Sequence, residues 1–205
     1  MIKKLFLAFV LNTSGVGSAS AQYEIWDVLV GGKVGGSAGM LTKRTCDPLW
    51  GPYGGVYAEM YLNKWLSMSL EVAAAHKGAD NVKTRVDDGY AYYQYRMDYI
   101  NTSYLFNVHM FRQHLSLYTG LSLGRAFNAK AMRNNHSVDI MDYVHKGEFT
   151  VPVGVELTIG KHITLDGRWH WSPLKISDSE RATRAFGASR HQFFSVTLGY
   201  KTQVF

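Results

Sequence analysis

The sequence predicts an all-β fold, an eight-stranded antiparallel up-and-down β-barrel, and three observations support this prediction. Short runs of alternating apolar and polar residues recur along the chain, with turn signals between them. The chain has 20 Gly, 13 Tyr and 10 Phe but only 4 Pro, a composition that suits many curved strands. The connections between the predicted strands are alternately long and short, which is typical of a barrel built from hairpins.

The clearest alternation runs from Ile163 to Trp171. Successive side chains of a strand point to opposite faces, so this segment has one apolar face and one charged face. A helix would scatter its charged residues around the circumference. The apolar face consists of Ile163, Leu165, Gly167, Trp169 and Trp171, and the polar face of Thr164, Asp166, Arg168 and His170.

The other seven predicted strands show the same pattern in 27–41, 52–63, 66–74, 90–106, 115–124, 149–159 and 191–205. In the fourth strand Arg96 and Asp98 share the parity of the apolar residues, so we expect them above the apolar band. Polar composition predicts four long loops, Thr42–Gly51, Lys77–Asp88, Asn128–Lys146 and Pro173–Arg190. The segments near Asn63, 107–114 and Gly160 are predicted to be the short turns.

The N-terminus has the pattern of an export signal. Lys3 and Lys4 precede an apolar stretch, and Ala19-Ser-Ala21 is a small-residue cleavage site. We therefore expect residues 1–21 to be a signal peptide and residues 22–205 to be one barrel domain. Cys46, the only cysteine, cannot form an internal disulfide in the exported chain.

The nature of the outer face decides where such a barrel resides. Its predicted outward positions are apolar along nearly the whole strand, whereas the other face carries small residues and few charges, which favours a barrel in the cell outer membrane. Aromatic residues would then anchor the two interfaces: Trp65 and Tyr104 on the periplasmic side, and Trp169, Trp171 and Phe194 on the outer side. A soluble lipocalin-like barrel that binds a ligand is the alternative.

Charged residues of the polar face form a predicted lumenal network. They are Lys33, Glu59, Glu71, Glu156, Asp166, Arg168 and Lys201. Eight strands enclose little more than side-chain volume, and buried charges persist chiefly in pairs. We therefore expect a lumen plugged by polar side chains; a narrow pore for small solutes is the alternative.

Several segments together resemble the PorT-like outer membrane β-barrel family, often called the porin family. They are Val34-Gly-Gly-Ser-Ala-Gly, Gly54-Gly-Val-Tyr-Ala-Glu-Met-Tyr-Leu, Leu121-Ser-Leu-Gly, Leu165-Asp-Gly-Arg-Trp and Val196-Thr-Leu-Gly-Tyr. The resemblance implies an eight-stranded outer-membrane barrel, usually without an assigned activity. Ser103 stands where the family often has Pro. Similar proteins end in an aromatic that the barrel-insertion machinery recognises, a role that Tyr200 and Phe205 would share here.

The sequence predicts a structural or surface-interaction role and not an enzyme. His170-x-Ser172 resembles the catalytic pair of outer-membrane lipid A deacylases, but its parity is lumenal, so we expect no catalysis. The predicted partners are outer membrane lipid, lipopolysaccharide and the insertion machinery, with an external ligand unknown, and the barrel is expected to be a monomer. No nucleic acid, cofactor or metal is expected. Basic residues of the predicted extracellular loops could contact lipopolysaccharide phosphates: Lys130, Arg133, Lys175, Arg181, Arg184 and Arg190.

Overall fold

The computed structural model describes residues 23–41, 46–86, 89–133, 136–142, 144–175 and 190–204. Within these ranges nine antiparallel strands form one continuous sheet. The predicted signal peptide lies outside the described residues. The strands are β1 Val28–Leu41, β2 Asp47–Asn63, β3 Leu66–Val86, β4 Gly89–Met110, β5 Leu115–Arg133, β6 His136–Asp139, β7 Gly147–Ile159, β8 Ile163–Lys175 and β9 Arg190–Gln203.

Eight of these strands close into an up-and-down barrel, which confirms the predicted fold. Consecutive barrel strands pair with each other, with β5 pairing with β7, and β1 pairs with β9 to close the ring. The short strand β6 lies outside the ring, where it pairs with the last residues of β5. No helix within the described residues is long and apolar enough to span a membrane.

The two ends of the barrel differ. The turn end carries the short connections 64–65, 111–114 and 160–162, together with the start of β1 and the end of β9. At the opposite end, here called the loop end, β3, β4 and β5 continue well beyond their neighbours. Residues 82–86 of β3 pair only with β4, so the loop end is a small open sheet above the closed ring.

The strand ends correct the predicted loops. Asp47–Gly51 belongs to β2, Lys77–Val86 to β3 and Asn128–Arg133 to β5, while Pro173–Lys175 completes β8. Polar residues, Gly and Pro interrupt these segments, so they lack the continuous apolar alternation by which a strand is recognised. Their backbone groups nevertheless continue to pair, because each remains beside a strand of matching length.

Two glycines show how closely neighbouring strands approach in the barrel wall. A Cβ added at Gly120 would stand 1.9 Å from the Tyr104 carbonyl oxygen, and one added at Gly35 would stand 2.0 Å from that of Val196. Any larger residue would have to displace backbone. These positions therefore require glycine for close approach, as expected for glycines in a curved wall.

Candidate functional site

The barrel interior contains nearly all the polar residues of the predicted inward faces, so we describe it from the turn end upward. At the turn end, Tyr23 lies under the barrel wall against Leu29 and Tyr61. Gln113 fixes it: the Tyr23 backbone N–H donates to Gln113 Oε1 at 3.1 Å, and Gln113 Nε2 donates to the Tyr23 carbonyl at 3.4 Å. Burial raises the pKa of the Tyr23 hydroxyl, and the nearby Lys201 ammonium partly opposes this rise. These contacts fix Tyr23 beneath the lumen at the turn end.

Above Tyr23 lies a first charge cluster centred on Lys201. Its ammonium is 2.9 Å from Glu156 Oε1 and 3.7 Å from Glu59 Oε2. Ser67 Oγ donates to Glu59 at 2.5 Å, and Asn107 Nδ2 donates to the same carboxylate at 3.3 Å. Glu59 is thus neutralised by a cation and solvated by fixed donors, as a buried carboxylate requires.

His109 extends this cluster. One ring nitrogen lies 2.8 Å from Ser67 Oγ and 3.4 Å from Glu59 Oε1, and the other lies 2.8 Å from Ser116 Oγ. Its ring stacks on Tyr61 with centroids 4.7 Å apart. The sequence analysis placed His109 in a polar turn, but β4 continues to Met110 and carries it into the lumen.

The second charge cluster is centred on Arg168, whose side chain is only 1% exposed. Its guanidinium makes a bidentate contact with Glu71, with both nitrogen-to-oxygen distances 3.0 Å. Lys33 Nζ lies 2.6 Å from the same carboxylate, and Tyr53 donates its hydroxyl to it at 2.7 Å. Glu71 of β3 therefore holds two cations across the lumen, Lys33 from β1 and Arg168 from β8.

Asp166 completes the second cluster through Tyr118. The Tyr118 hydroxyl donates to Asp166 Oδ2, and Arg168 Nε donates to the same hydroxyl at 2.8 Å. Arg168 Nη2 is also 3.7 Å from Asp166, and Thr197 donates to it at 3.5 Å. The three residues link the wall at β5 to the wall at β8.

A third group near the loop end was missed by the sequence analysis. Lys77, predicted to lie in a loop, is buried and forms an ion pair with Glu148. Its ammonium lies 4.2 Å from the ring centroid of Phe193 and 4.6 Å from that of Tyr99. Parity could have located it, because Lys77 is in register with the inward residues Ser69 and Glu71 if the strand is extended.

An apolar cluster covers this third group. Inward residues of β3, β4 and β5 pack there against Ile140 and Val144, which follow β6. The Ile140 N–H donates to the Ala129 carbonyl at 3.0 Å, and the Ala126 N–H donates to the Lys146 carbonyl at 2.8 Å. Cys46 packs partly buried against this cluster. The cluster comprises Ala79, Val82, Tyr95, Met97, Tyr99, Ala126, Ala129, Ile140 and Val144.

Little space remains between the first two clusters. A cavity of about 20 Å³ is bordered by Tyr57, Glu59, Glu71, Asn107 and Arg168. That volume holds about one water molecule. The lumen of the described structure is therefore filled by side chains at this level.

His170 and Ser172, the possible deacylase pair, do not form a catalytic arrangement. His170 stacks on Phe193, with ring centroids 3.8 Å apart, and neither ring nitrogen has a hydrogen-bond partner within the described residues. Ser172 Oγ donates to the Phe149 carbonyl at 3.0 Å. A serine nucleophile requires a base within hydrogen-bond reach, and the base requires an orienting carboxylate. Asp166 is instead bound to Tyr118 and Arg168.

The outer face of the ring is apolar, and all five predicted interface aromatics are exposed, four on this face and Trp65 in a turn. Trp65 lies in the β2–β3 turn at the turn end, and Tyr104 points outward from β4. Trp169, Trp171 and Phe194 point outward from β8 and β9, and so does Tyr200. Trp50 was assigned to a loop by the sequence analysis, but it is an exposed, outward residue of β2.

The basic residues predicted for extracellular loops have a different placement. Lys130 and Arg133 lie on β5, Lys175 ends β8 and Arg190 begins β9, so these four belong to strands. Their assignment to loops was wrong, because the strands extend further than the apolar band. Arg181, Arg184 and Phe205 lie outside the described residues.

A closed antiparallel barrel with an apolar outer face and a filled polar interior defines a membrane-spanning β-barrel. The chain belongs to the outer membrane protein beta-barrel domain family, whose model matches residues 20–175. It is therefore a protein of the cell outer membrane. No curated protein matches the chain.

Solved structures share this fold at low sequence identity. Ail, the attachment invasion locus protein of Yersinia pestis, crystallised with the heparin analogue sucrose octasulfate, is 13% identical with a TM-score of 0.53; the match covers 86% of this chain and 99% of Ail. A second Ail crystal structure is 12% identical, covers 87% and 99%, and also scores 0.53. Neisserial surface protein A is 11% identical, covers 86% and 97%, and scores 0.49. The likeness to Ail shows the fold.

Proposed function

We propose that this barrel has a structural or surface-interaction role, that its lumen is closed to solutes, and that its loop end faces the cell exterior. Lipopolysaccharide and surface macromolecules would then meet the extended strands β3, β4 and β5. The chain would act as a monomer, without catalysis, and Phe205 and the outward Tyr200 would be recognised by the insertion machinery. The ordered motifs from Val34 to Tyr200 support a PorT-like member of the family.

The interlocked Arg168 cluster carries the proposal of a closed lumen. Arg168, Glu71 and Lys33 come from three different strands and meet at distances of 3.0 Å or less. Opening a solute path would require breaking charge pairs in a region of low dielectric, where an unpaired charge is expensive. An open lumen would need another interaction to compensate for the broken charge pairs, so the closed lumen is favoured.

The shape of the loop end supports a role at the surface. Strands β3 and β4 continue to Val86 and from Gly89, well past the point where β2 stops pairing. Their inward residues are covered by Ile140 and Val144, so this extension is packed from within. A packed sheet that projects from the membrane offers a stable surface for recognition.

Conductance of the purified barrel in a planar lipid bilayer tests the closed lumen. The native protein is expected to give no stable conductance steps. The double variant Glu71→Ala with Arg168→Ala removes one charge of each sign and a large side-chain volume, so it is expected to conduct. Lys33 and Asp166 remain in that variant, so the net charge of the second cluster does not change.

A matched control separates lumenal from external effects. The double variant Asp98→Ala with Arg96→Ala also removes one charge of each sign, but from the outer face, and is expected to stay silent. Stable steps from the native protein would overturn the closed lumen and favour the narrow pore. Each variant should first resist SDS until it is boiled, which shows that the barrel has folded.

A further inference from the structure

Just above the apolar band, the outer faces of β3, β4 and β5 carry a group of charged and polar side chains that we call the charged wall. It comprises His76, Arg96, Asp98, Arg125, Asn128 and Lys130. These residues point outward, because their neighbours Ala75, Met97 and Ala129 are buried in the lumen. The aromatic residues Trp169, Trp171 and Phe194 occupy the outer face of β8 and β9 instead.

The carboxylate of the charged wall already has partners. His76 Nδ1 lies 2.5 Å from Asp98 Oδ1, and Asn128 Nδ2 donates to Asp98 Oδ2 at 2.7 Å. Lys130 adds an electrostatic interaction with the same carboxylate. Asp139 of β6 is the register partner of Lys130 on its other side, and its Oδ1 accepts the Met141 N–H at 2.8 Å.

The cations of the charged wall outnumber its carboxylates. Arg96 and Lys130 are direct register partners on β4 and β5, so their side chains share one face at about 5 Å between Cβ atoms. Like charges placed directly opposite repel each other. Among the residues that the structure describes, Arg96 and Arg125 have no ion pair and no side-chain hydrogen bond. An external anion between Arg96 and Lys130 would turn that repulsion into two attractions.

An apolar strip lies below these cations on the same two strands, beyond the level of Asp98 and Asn128. Ile100 and Tyr104 of β4 are 50% and 53% exposed, and Leu121 and Leu123 of β5 are 52% and 58% exposed. Cations above an exposed apolar strip match an amphipathic molecule with an anionic head and hydrocarbon chains. Arg125 lies at the upper end of this strip, as the register partner of Ile100.

We propose that the charged wall binds a phosphorylated glycolipid of the outer leaflet, whose phosphate is held between Arg96 and Lys130 and whose acyl chains cover the strip from Ile100 to Leu123. Arginine and lysine both form charge-assisted hydrogen bonds with phosphate oxygens. Arg125 contacts the glycolipid closer to the hydrocarbon. The inference rests on the proposed outward orientation of the loop end.

Native mass spectrometry of the folded barrel in detergent, with diphosphoryl lipid A as the probe, tests this site. The native barrel is expected to retain the lipid, and Arg96→Gln with Lys130→Gln is expected to weaken binding at least about tenfold, because two charge-assisted hydrogen bonds are lost. Dephosphorylated lipid A is expected to bind the native barrel as weakly as diphosphoryl lipid A binds the variant. Inorganic phosphate at the concentration of the lipid is expected not to compete.

The matched control is Lys64→Gln with Lys161→Gln, which removes the same charge from exposed positions at the turn end. It is expected to bind like the native barrel. Equal binding of dephosphorylated lipid A, unchanged binding by the Arg96 and Lys130 variant, equal loss in the control, or competition by equimolar inorganic phosphate would each overturn the proposal. Bilayer conductance is independent of all these readouts, so failure of this site leaves the closed lumen standing.

Discussion

The Arg168 cluster inside the barrel and the charged wall outside it differ in how their charges are paired. Inside, Arg168 contacts Glu71 at 3.0 Å and Asp166 at 3.7 Å, and Lys33 contacts Glu71 at 2.6 Å. Outside, Arg96 faces Lys130 and has no ion pair among the described residues. A charge enclosed by protein must be paired, whereas one at the membrane surface can remain available to a ligand.

Solvation explains this difference. A buried ion loses its hydration, and the energy is recovered only through close partners and additional hydrogen bonds. An exposed ion keeps its water, so its interactions with neighbours are weak and screened by salt. The same residue type therefore stabilises the barrel inside and recognises an anion outside. Matched substitutions, one in the lumen and one on the outer face, can measure this difference as a change in the free energy of unfolding.

The largest expected effect comes from Arg168→Met. It leaves Glu71 with Lys33 and Tyr53 only, and Asp166 with Tyr118 and Thr197, so two buried carboxylates lose their main cation. The free energy of unfolding is expected to fall by about 3–5 kcal/mol, as when one partner of a buried ion pair is removed. Reversible guanidinium unfolding in lipid vesicles, followed by tryptophan fluorescence, measures it.

Arg96→Met is the control for that measurement. The charged wall is exposed, so this change is expected to alter the free energy of unfolding by no more than about 0.5 kcal/mol. Similar losses for the two variants would show that lumenal pairing contributes no special stability, and the contrast between the two sets of charges would fail.

An intermediate effect is expected from a charge placed in the apolar band. Leu121 points outward from the middle of the apolar run of β5, and Leu121→Arg is expected to cost about 2–4 kcal/mol, because the guanidinium enters the hydrocarbon. Phe127→Arg, at the level of the charged wall, is expected to cost about 0–1 kcal/mol. The same unfolding experiment measures both. A smaller cost at Leu121 than at Phe127 would place the membrane boundary elsewhere.

The smallest expected effect removes a single hydroxyl from the lumen. Tyr118→Phe deletes the group that donates to Asp166 and accepts from Arg168 Nε. The free energy of unfolding is expected to fall by about 1–3 kcal/mol, because two buried polar groups lose a partner. Tyr104→Phe, on the outer face, should be nearly neutral. An equally neutral Tyr118→Phe would indicate that Arg168 and Asp166 compensate by direct contact.

Alternation of side chains was sufficient to predict most of the fold. The inward parity of Glu59, Asp166 and Arg168 follows from a two-residue period, and the structure buries all three. The strand ends were not predictable, because β3, β4 and β5 leave the apolar band and lose the contrast between their faces. That error hid Lys77, whose partner Glu148 lies 71 residues away in the sequence.

The sequence alone determined the number of barrel strands, the face on which each residue of the apolar band lies, and hence the pool of inward charges. Tertiary structure alone decided the pairs. The main partner of Arg168 is Glu71, 97 residues away in the sequence, and not Asp166, two residues away. Strand closure and register bring β8 opposite β3. The charged wall likewise depends on register: Arg96 and Lys130 become neighbours only when β4 and β5 pair. Periodicity is a local property of the chain, whereas contacts across a lumen or between strands depend on how the sheet closes.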